Sequence, residues 1–317
     1  MLLALLSLFL AGSPAAPRAQ EPFPTESTVT LREDGKLWDV RGRRTIPSSV
    51  KVVSLRSARI QGLDGEAVLE VSGVLELKAV TGGGVNLENV WIELAPDCKA
   101  LYLSQCWFKG GGVRSSDRGP TQAKVFIERS YFQEGASFSV STSGGSIDVQ
   151  GAHSAEELVL HGLPHSKKVA NKTSASFLSC KLAKGLRVVG VQELLVRNCD
   201  LAGEAVILLD CPRLHFDGNN VRTERMMLAH SEPGRFAKTQ VGNCDFRCDV
   251  LELRAPPRGD KSEPVLFDHC WFRGRIEPLV IRRELILDQL RDPTSAAVAS
   301  FRKTSAGALG LGGRDDR

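Results

Sequence analysis

Residues 194–201 read LLVRNCDL and residues 239–246 read TQVGNCDF, so the chain writes apolar-x-Asn-Cys-Asp-apolar twice. Asn-Cys-Asp can hold a metal, carry redox chemistry or present a catalytic carboxylate; it can also mark one position of a repeat. The surrounding sequence argues for the repeat. The frame apolar-x-apolar-x-x-[Cys or small]-x-apolar returns in LYLSQCWF (101–108), VFIERSYF (125–132), ASFLSCKL (175–182), LHFDGNNV (214–221) and VLFDHCWF (265–272). Its central residues are Cys106, Ser130, Cys180, Cys199, Asn219, Cys244 and Cys270, and IDVQGAHS (147–154) fills the one long gap with Ala152. Upstream, VSLRSARI, LEVSGVLE, VNLENVWI and LYLSQCWF begin at residues 53, 69, 85 and 101. Alternation inside each unit is a strand pattern. A short, fixed period of strands marks a solenoid, because each unit buries its apolar face only against its neighbours.

Two solenoids compete. VQELLVRNCDL and CPRLHFDGNNV satisfy a leucine-rich repeat. The segments between motifs, such as GEAVILLD and CDVLELRA, carry a second strand pattern instead of a helix, and glycine follows the motif repeatedly (FKGGG, FQEG, LAKG, LAGE, FRGR). In these features residues from about 50 to 280 resemble the pectin-lyase-like superfamily, whose coils often read I-x-I-x-N-C-x-F-x-G. The resemblance implies an all-β chain folded as a single right-handed parallel β-helix, and the repeat gives it about ten or eleven coils. The helix is expected over residues 49–277, after a linker and N-terminal cap (20–48). PLVIRRELILDQL (278–290) changes to helical spacing, with Leu285, Ile286 and Leu290 on one side; a helical cap is expected over 278–302 and a flexible tail over 303–317.

Composition narrows the function. Aromatics make up 6% of the chain against 30 glycines, which suits a turn-rich β fold. A formal charge of +4 is too weak to imply nucleic acid. The opening MLLALLSLFLAGS is an apolar run too short to span a bilayer and is followed by small residues and proline, so residues 1–19 read as a secretory signal peptide. The expectation is a secreted or periplasmic protein that does not insert in a membrane.

Eight cysteines in an exported chain normally point to disulfides. Five of them share the central coil position, where a side chain points inward, so a stack of buried thiols competes with bridges such as Cys180–Cys199 or Cys244–Cys270. Cys244 and Cys248 lack companion ligands at zinc spacing. No metal and no cofactor is expected.

The residue after each central position points outward and forms a column: Trp107, Tyr131, His153, Lys181, Asp200, Asn220, Asp245 and Trp271. A second outward column holds Tyr102, Phe126, Ser176, Leu195, His215, Gln240 and Leu266. Read as one face, with Arg197 nearby, the two would let a polysaccharide stack on aromatic ends while Trp107, Tyr131, Arg197, His215, Asn220 and Trp271 bind it. Asp200 and Asp245, two coils apart, would be roughly 10 Å apart at the backbone, near the 6.5–9.5 Å of an inverting carboxylate pair. With Lys181 they are the catalytic candidates of an enzymatic reading.

The resemblance weakens that reading. Polygalacturonase-like sequences pair N-T-D, D-D, G-H-G and R-I-K. Here NCD replaces the first, LHGL (160–163) half matches the third, and the others are missing from the coils. Pectate-lyase-like calcium sites want clustered acids beside an arginine, and only Arg197 near Asp200 and Asp217 hints at one. His161 and His165 flank a proline turn and are expected in a loop. Extra residues at 111–122, 164–174, 231–238 and 256–264 are expected to emerge on one edge as a basic rim, with Arg114, Arg118, Lys167, Lys168, Lys172, Arg235, Lys238, Arg258 and Lys261. An acidic polysaccharide is the partner such a rim would favour. Two functions remain: a non-catalytic carbohydrate-binding or cell-surface scaffold protein, and a lyase or glycoside hydrolase acting on an acidic glycan.

Overall fold

A computed structural model describes residues 28–30, 37–54, 58–63, 67–79, 83–162, 173–230, 239–254, 265–278 and 285–288. They form an all-β parallel solenoid of about eight turns, fewer than the ten or eleven coils expected, with one sheet of twelve strands and one of sixteen. Every described pairing between strands is parallel, as in Ala100–Ser104 with Lys124–Glu128 and Glu193–Arg197 with Arg213–Asp217. The coils follow the repeat read from the sequence. Leu101, Val125, Ile147, Ala175, Leu194 and Leu214 are register partners in succession down the first sheet, and all are buried.

The Asn-Cys-Asp motif is the corner where the chain leaves the first sheet for the second. Asn198 and Asn243 take left-handed φ angles of 53° and 51°, as do Gln105, Arg129, Ser179 and His269 at the same coil position, and Gly151 and Gly218. One left-handed residue turns the strand sharply, and asparagine tolerates that conformation better than most side chains. The next residue is carried inward. Cys106, Ser130, Ala152, Cys180, Cys199, Asn219, Cys244 and Cys270 are each at most 2% exposed. The residue after that starts a strand of the second sheet and points outward, as Asp200 and Asp245 do.

All eight cysteines are free and buried. The ladder that five of them form with Asn219 is polar on one side. The N–H of Cys180 donates to Cys199 Sγ at 3.4 Å, that of Cys199 to Asn219 Oδ1 at 2.8 Å, and that of Asn219 to Cys244 Sγ at 3.4 Å. Beside it runs an apolar stack, with Phe108 on Phe132 at 4.7 Å and Phe246 on Phe272 at 5.0 Å, both pairs nearly parallel. Each such ring buries apolar area equivalent to about 2 kcal/mol or more.

The glycines after the motif have a steric reason. A Cβ on Gly185 would lie 2.0 Å from the carbonyl oxygen of Ala205 in the next coil, and one on Gly112 would lie 1.9 Å from that of Ser137. Backbones pass too close at this bend for any side chain.

Three expectations change. Residues 111–115 are not insertion but the end of strand Cys106–Ser115, since the strand bends at its glycines and continues. His161 lies in strand Leu158–Gly162, exposed, because the coil alternation runs through LVLHG before the turn begins; His165 lies outside the described residues. Leu285 and Ile286 belong to strand Leu285–Asp288, which pairs with Val265–Asp268 and continues the first sheet. The described residues contain no helix, and the rest of the expected cap (278–302), the segment 1–19, most of 20–36 and the tail 303–317 lie outside them. So do the basic residues expected at 167, 168, 172, 235, 238, 258 and 261.

Candidate functional site

The second sheet holds the first outward column in unbroken register: Trp107 pairs with Tyr131, Tyr131 with His153, His153 with Lys181, Lys181 with Asp200, Asp200 with Asn220, Asn220 with Asp245, and Asp245 with Trp271. His215 and Arg197 are not part of it. Both lie on strands of the first sheet, Arg213–Asp217 and Glu193–Arg197. The left-handed corner separates the two columns onto different sheets, so they do not form one face. His215 sits between Leu195 and Gln240 in its own column, and Arg197 pairs with Asp217 at 3.4 Å.

A groove of about 420 Å³ follows the column over Trp107, Tyr131, His153, Lys181 and Asp200. Its floor is a row of alanines, Ala155, Ala183 and Ala202, each two residues after an outward column position. The small side chains leave the space. That signal was present in the sequence, in HSA, KLA and DLA.

The aromatic end of the column is stacked on itself. Ring centroids of Trp107 and Tyr131 are 4.8 Å apart with a 35° tilt, and those of Tyr131 and His153 are 4.8 Å apart with a 49° tilt. Rings spaced by one coil cover much of one another's faces, so a ligand in the groove meets edges and polar tips more than open faces. Burial, together with the charge of Lys181 one coil along, lowers the His153 pKa below its ordinary value and favours the neutral imidazole. Trp271, at the far end, is 43% exposed.

The carboxylates are occupied. Arg222 Nη2 lies 2.7 Å from both oxygens of Asp200, and Asn220 Nδ2 donates to Asp200 Oδ1 at 3.1 Å. Arg247 holds Asp245 Oδ2 through Nε at 2.9 Å and Nη2 at 2.7 Å. Arg222 and Arg247 were not picked out from the sequence, although each stands two residues after a column position. Lys181 has no carboxylate partner among the described residues, since its neighbour Asp200 is already taken by Arg222.

The two described arginines of the expected basic rim are also paired. Arg114 contacts Glu93 through Nε at 3.1 Å and Nη2 at 3.0 Å, and Arg118 pairs with Glu70. Among the described residues no three His, Cys, Asp or Glu side chains are grouped to hold a metal ion.

No family model, curated protein or solved structure matches the chain. The reading of function therefore rests on the groove itself.

Proposed function

We propose that this chain is an exported, non-catalytic carbohydrate-binding or cell-surface scaffold protein, built on a right-handed parallel β-helix akin to the pectin-lyase-like superfamily. The handedness follows from the strong right-handed preference of parallel strand crossovers, and export from the apolar segment within residues 1–19. The single observation carrying the binding role is the groove along the outward column. Tyr131, His153 and Lys181 offer donors and acceptors along one wall above a floor of alanines. Lys181, unpaired with any carboxylate among the described residues, is the group for a sugar acid. The ion pairs that hold Asp200 and Asp245 argue against the alternative of a lyase or hydrolase, because a general acid or base must exchange protons with substrate rather than be clamped by arginine.

A panel of acidic and neutral polysaccharides, scored for both binding and chain cleavage, tests this reading. Binding without cleavage is expected, weakened about tenfold by Lys181→Ala or Tyr131→Ala, equivalent to about 1.4 kcal/mol. Trp107→Ala and Trp271→Ala report whether the ends of the column take part. Cleavage that disappears in Asp200→Asn would make the protein an enzyme, and no response to any glycan would reject both readings.

A further inference from the structure

The second sheet carries another cavity, of about 420 Å³, away from the groove and lined by Trp91, Arg114, Asp117 and the serines 137, 139 and 141. Its origin is steric. Trp91 and Ser137 are both register partners of Gly112, so the coil between the indole and the serine has no side chain at that position. Strand Ala136–Thr142 then turns Ala136, Phe138, Val140 and Thr142 inward and three serines outward. Serines two apart on a strand are roughly 7 Å from each other and cannot satisfy one another. The hydroxyls of Ser137 and Ser139 have no hydrogen-bond partner among the described residues.

The wall opposite is fixed and electrically matched. The Arg114 guanidinium lies 4.7 Å over the Trp91 ring and is held by Glu93, which is 2% exposed and also bound by Arg43. Asp117, exposed at the rim, makes no ion pair among the described residues. An anion entering here would meet Asp117, and the charges of Arg43, Arg114 and Arg118 are offset by Glu70, Glu93 and Asp117 together, so the site offers an anion no net positive charge. An apolar ligand would strand the serine hydroxyls, at a cost for each polar group left without a partner. A ligand bearing many hydroxyls, each both donor and acceptor, matches the serines and Asp117, and an apolar ring edge matches Trp91.

We propose that this cavity is a second binding site, for a neutral polyhydroxylated ligand of one or two sugar rings. It is independent of the groove and of the reading placed on it. The volume falls within the usual range for small-molecule sites, roughly 300–1,000 Å³.

The experiment is calorimetric titration of the intact chain with glucose, galactose, mannose, cellobiose and maltose, and with glucuronate as the anionic probe. Ser139→Leu fills the cavity from an exposed position, and its circular dichroism reports whether the coil survives. At least one neutral sugar should bind, with binding lost in Ser139→Leu, weakened about tenfold in Asp117→Asn and unchanged in Lys181→Ala. Failure of every neutral sugar to bind would overturn the proposal. So would binding that persists in folded Ser139→Leu, or glucuronate binding tighter than glucose that Ser139→Leu abolishes. Loss in Lys181→Ala but not in Ser139→Leu would move the binding to the groove and likewise overturn it.

Discussion

The backbone N–H of Cys199 donates to Oδ1 of Asn219, one coil further along, at 2.8 Å. Asn219 is 2% exposed and donates its own Nδ2 to the carbonyl of Val196 at 2.9 Å. Both polar atoms of this side chain thus find a partner at a position where most coils place a thiol. Asn219→Ala orphans a buried amide hydrogen and should cost about 2 kcal/mol. Asn219→Cys should cost less than about 1 kcal/mol, since Cys199 accepts the same bond from Cys180. Urea midpoints at constant slope measure both, and equal losses in the two variants would refute the ladder argument.

The corner makes a second demand. At φ 51°, Asn243 occupies a conformation that β-branched residues avoid. Asn243→Val should be less stable than Asn243→Gly by about 2 kcal/mol, read as a difference in thermal midpoint. Indistinguishable midpoints would mean that the turn does not need this geometry.

Buried thiols should be inert. Burial pushes Cys106 and Cys211 up to about 12, and the Cys199 thiol together with burial raises Cys180. Cys199 and Cys270 are lowered by their thiol neighbours Cys180 and Cys244, but each is only 2% exposed. The native protein at pH 8 should therefore react slowly with a thiol reagent, while the denatured, unreduced chain should release all eight thiols. Four disulfides in that assay would contradict the structure.

Glu93 gives a pH dependence. Burial alone would raise its pKa, but hydrogen bonds and charge from Arg43 and Arg114 outweigh it and hold the carboxyl below its ordinary value of 4.5. A lowered folded-state pKa means that the unfolded chain takes up the proton first. The stabilisation is therefore complete above the ordinary value and is lost as pH falls through the folded-state value. Glu93→Gln should cost about 2 kcal/mol at pH 7 and flatten the decline in stability below pH 4.5. An unchanged acid profile in the variant would remove Glu93 from that role.

Much of this was readable in the sequence. Alternation placed Leu101, Val125 and Leu194 inside, and the fixed offset from the central position put Trp107 through Trp271 in one outward column. Local spacing suffices for such statements because a strand has a period of two and a solenoid repeats its corner. Merging His215 and Arg197 with that column failed for an equally local reason. A single left-handed torsion at Asn198 or Gly218 sends the chain to another sheet, and alternation does not register a change of sheet.

The sequence by itself determined the coil, its inward column of cysteines and its outward column, since each depends on residue type at a fixed interval. Only the tertiary structure decided what those outward residues do. Arg222 clamps Asp200 from the next coil, Arg43 reaches Glu93 across 50 residues of chain, and Gly112 opens the space between Trp91 and Ser137. These contacts join side chains brought together by stacking, and their lengths and rotamers are set by neighbours in adjacent coils that no spacing along one strand encodes.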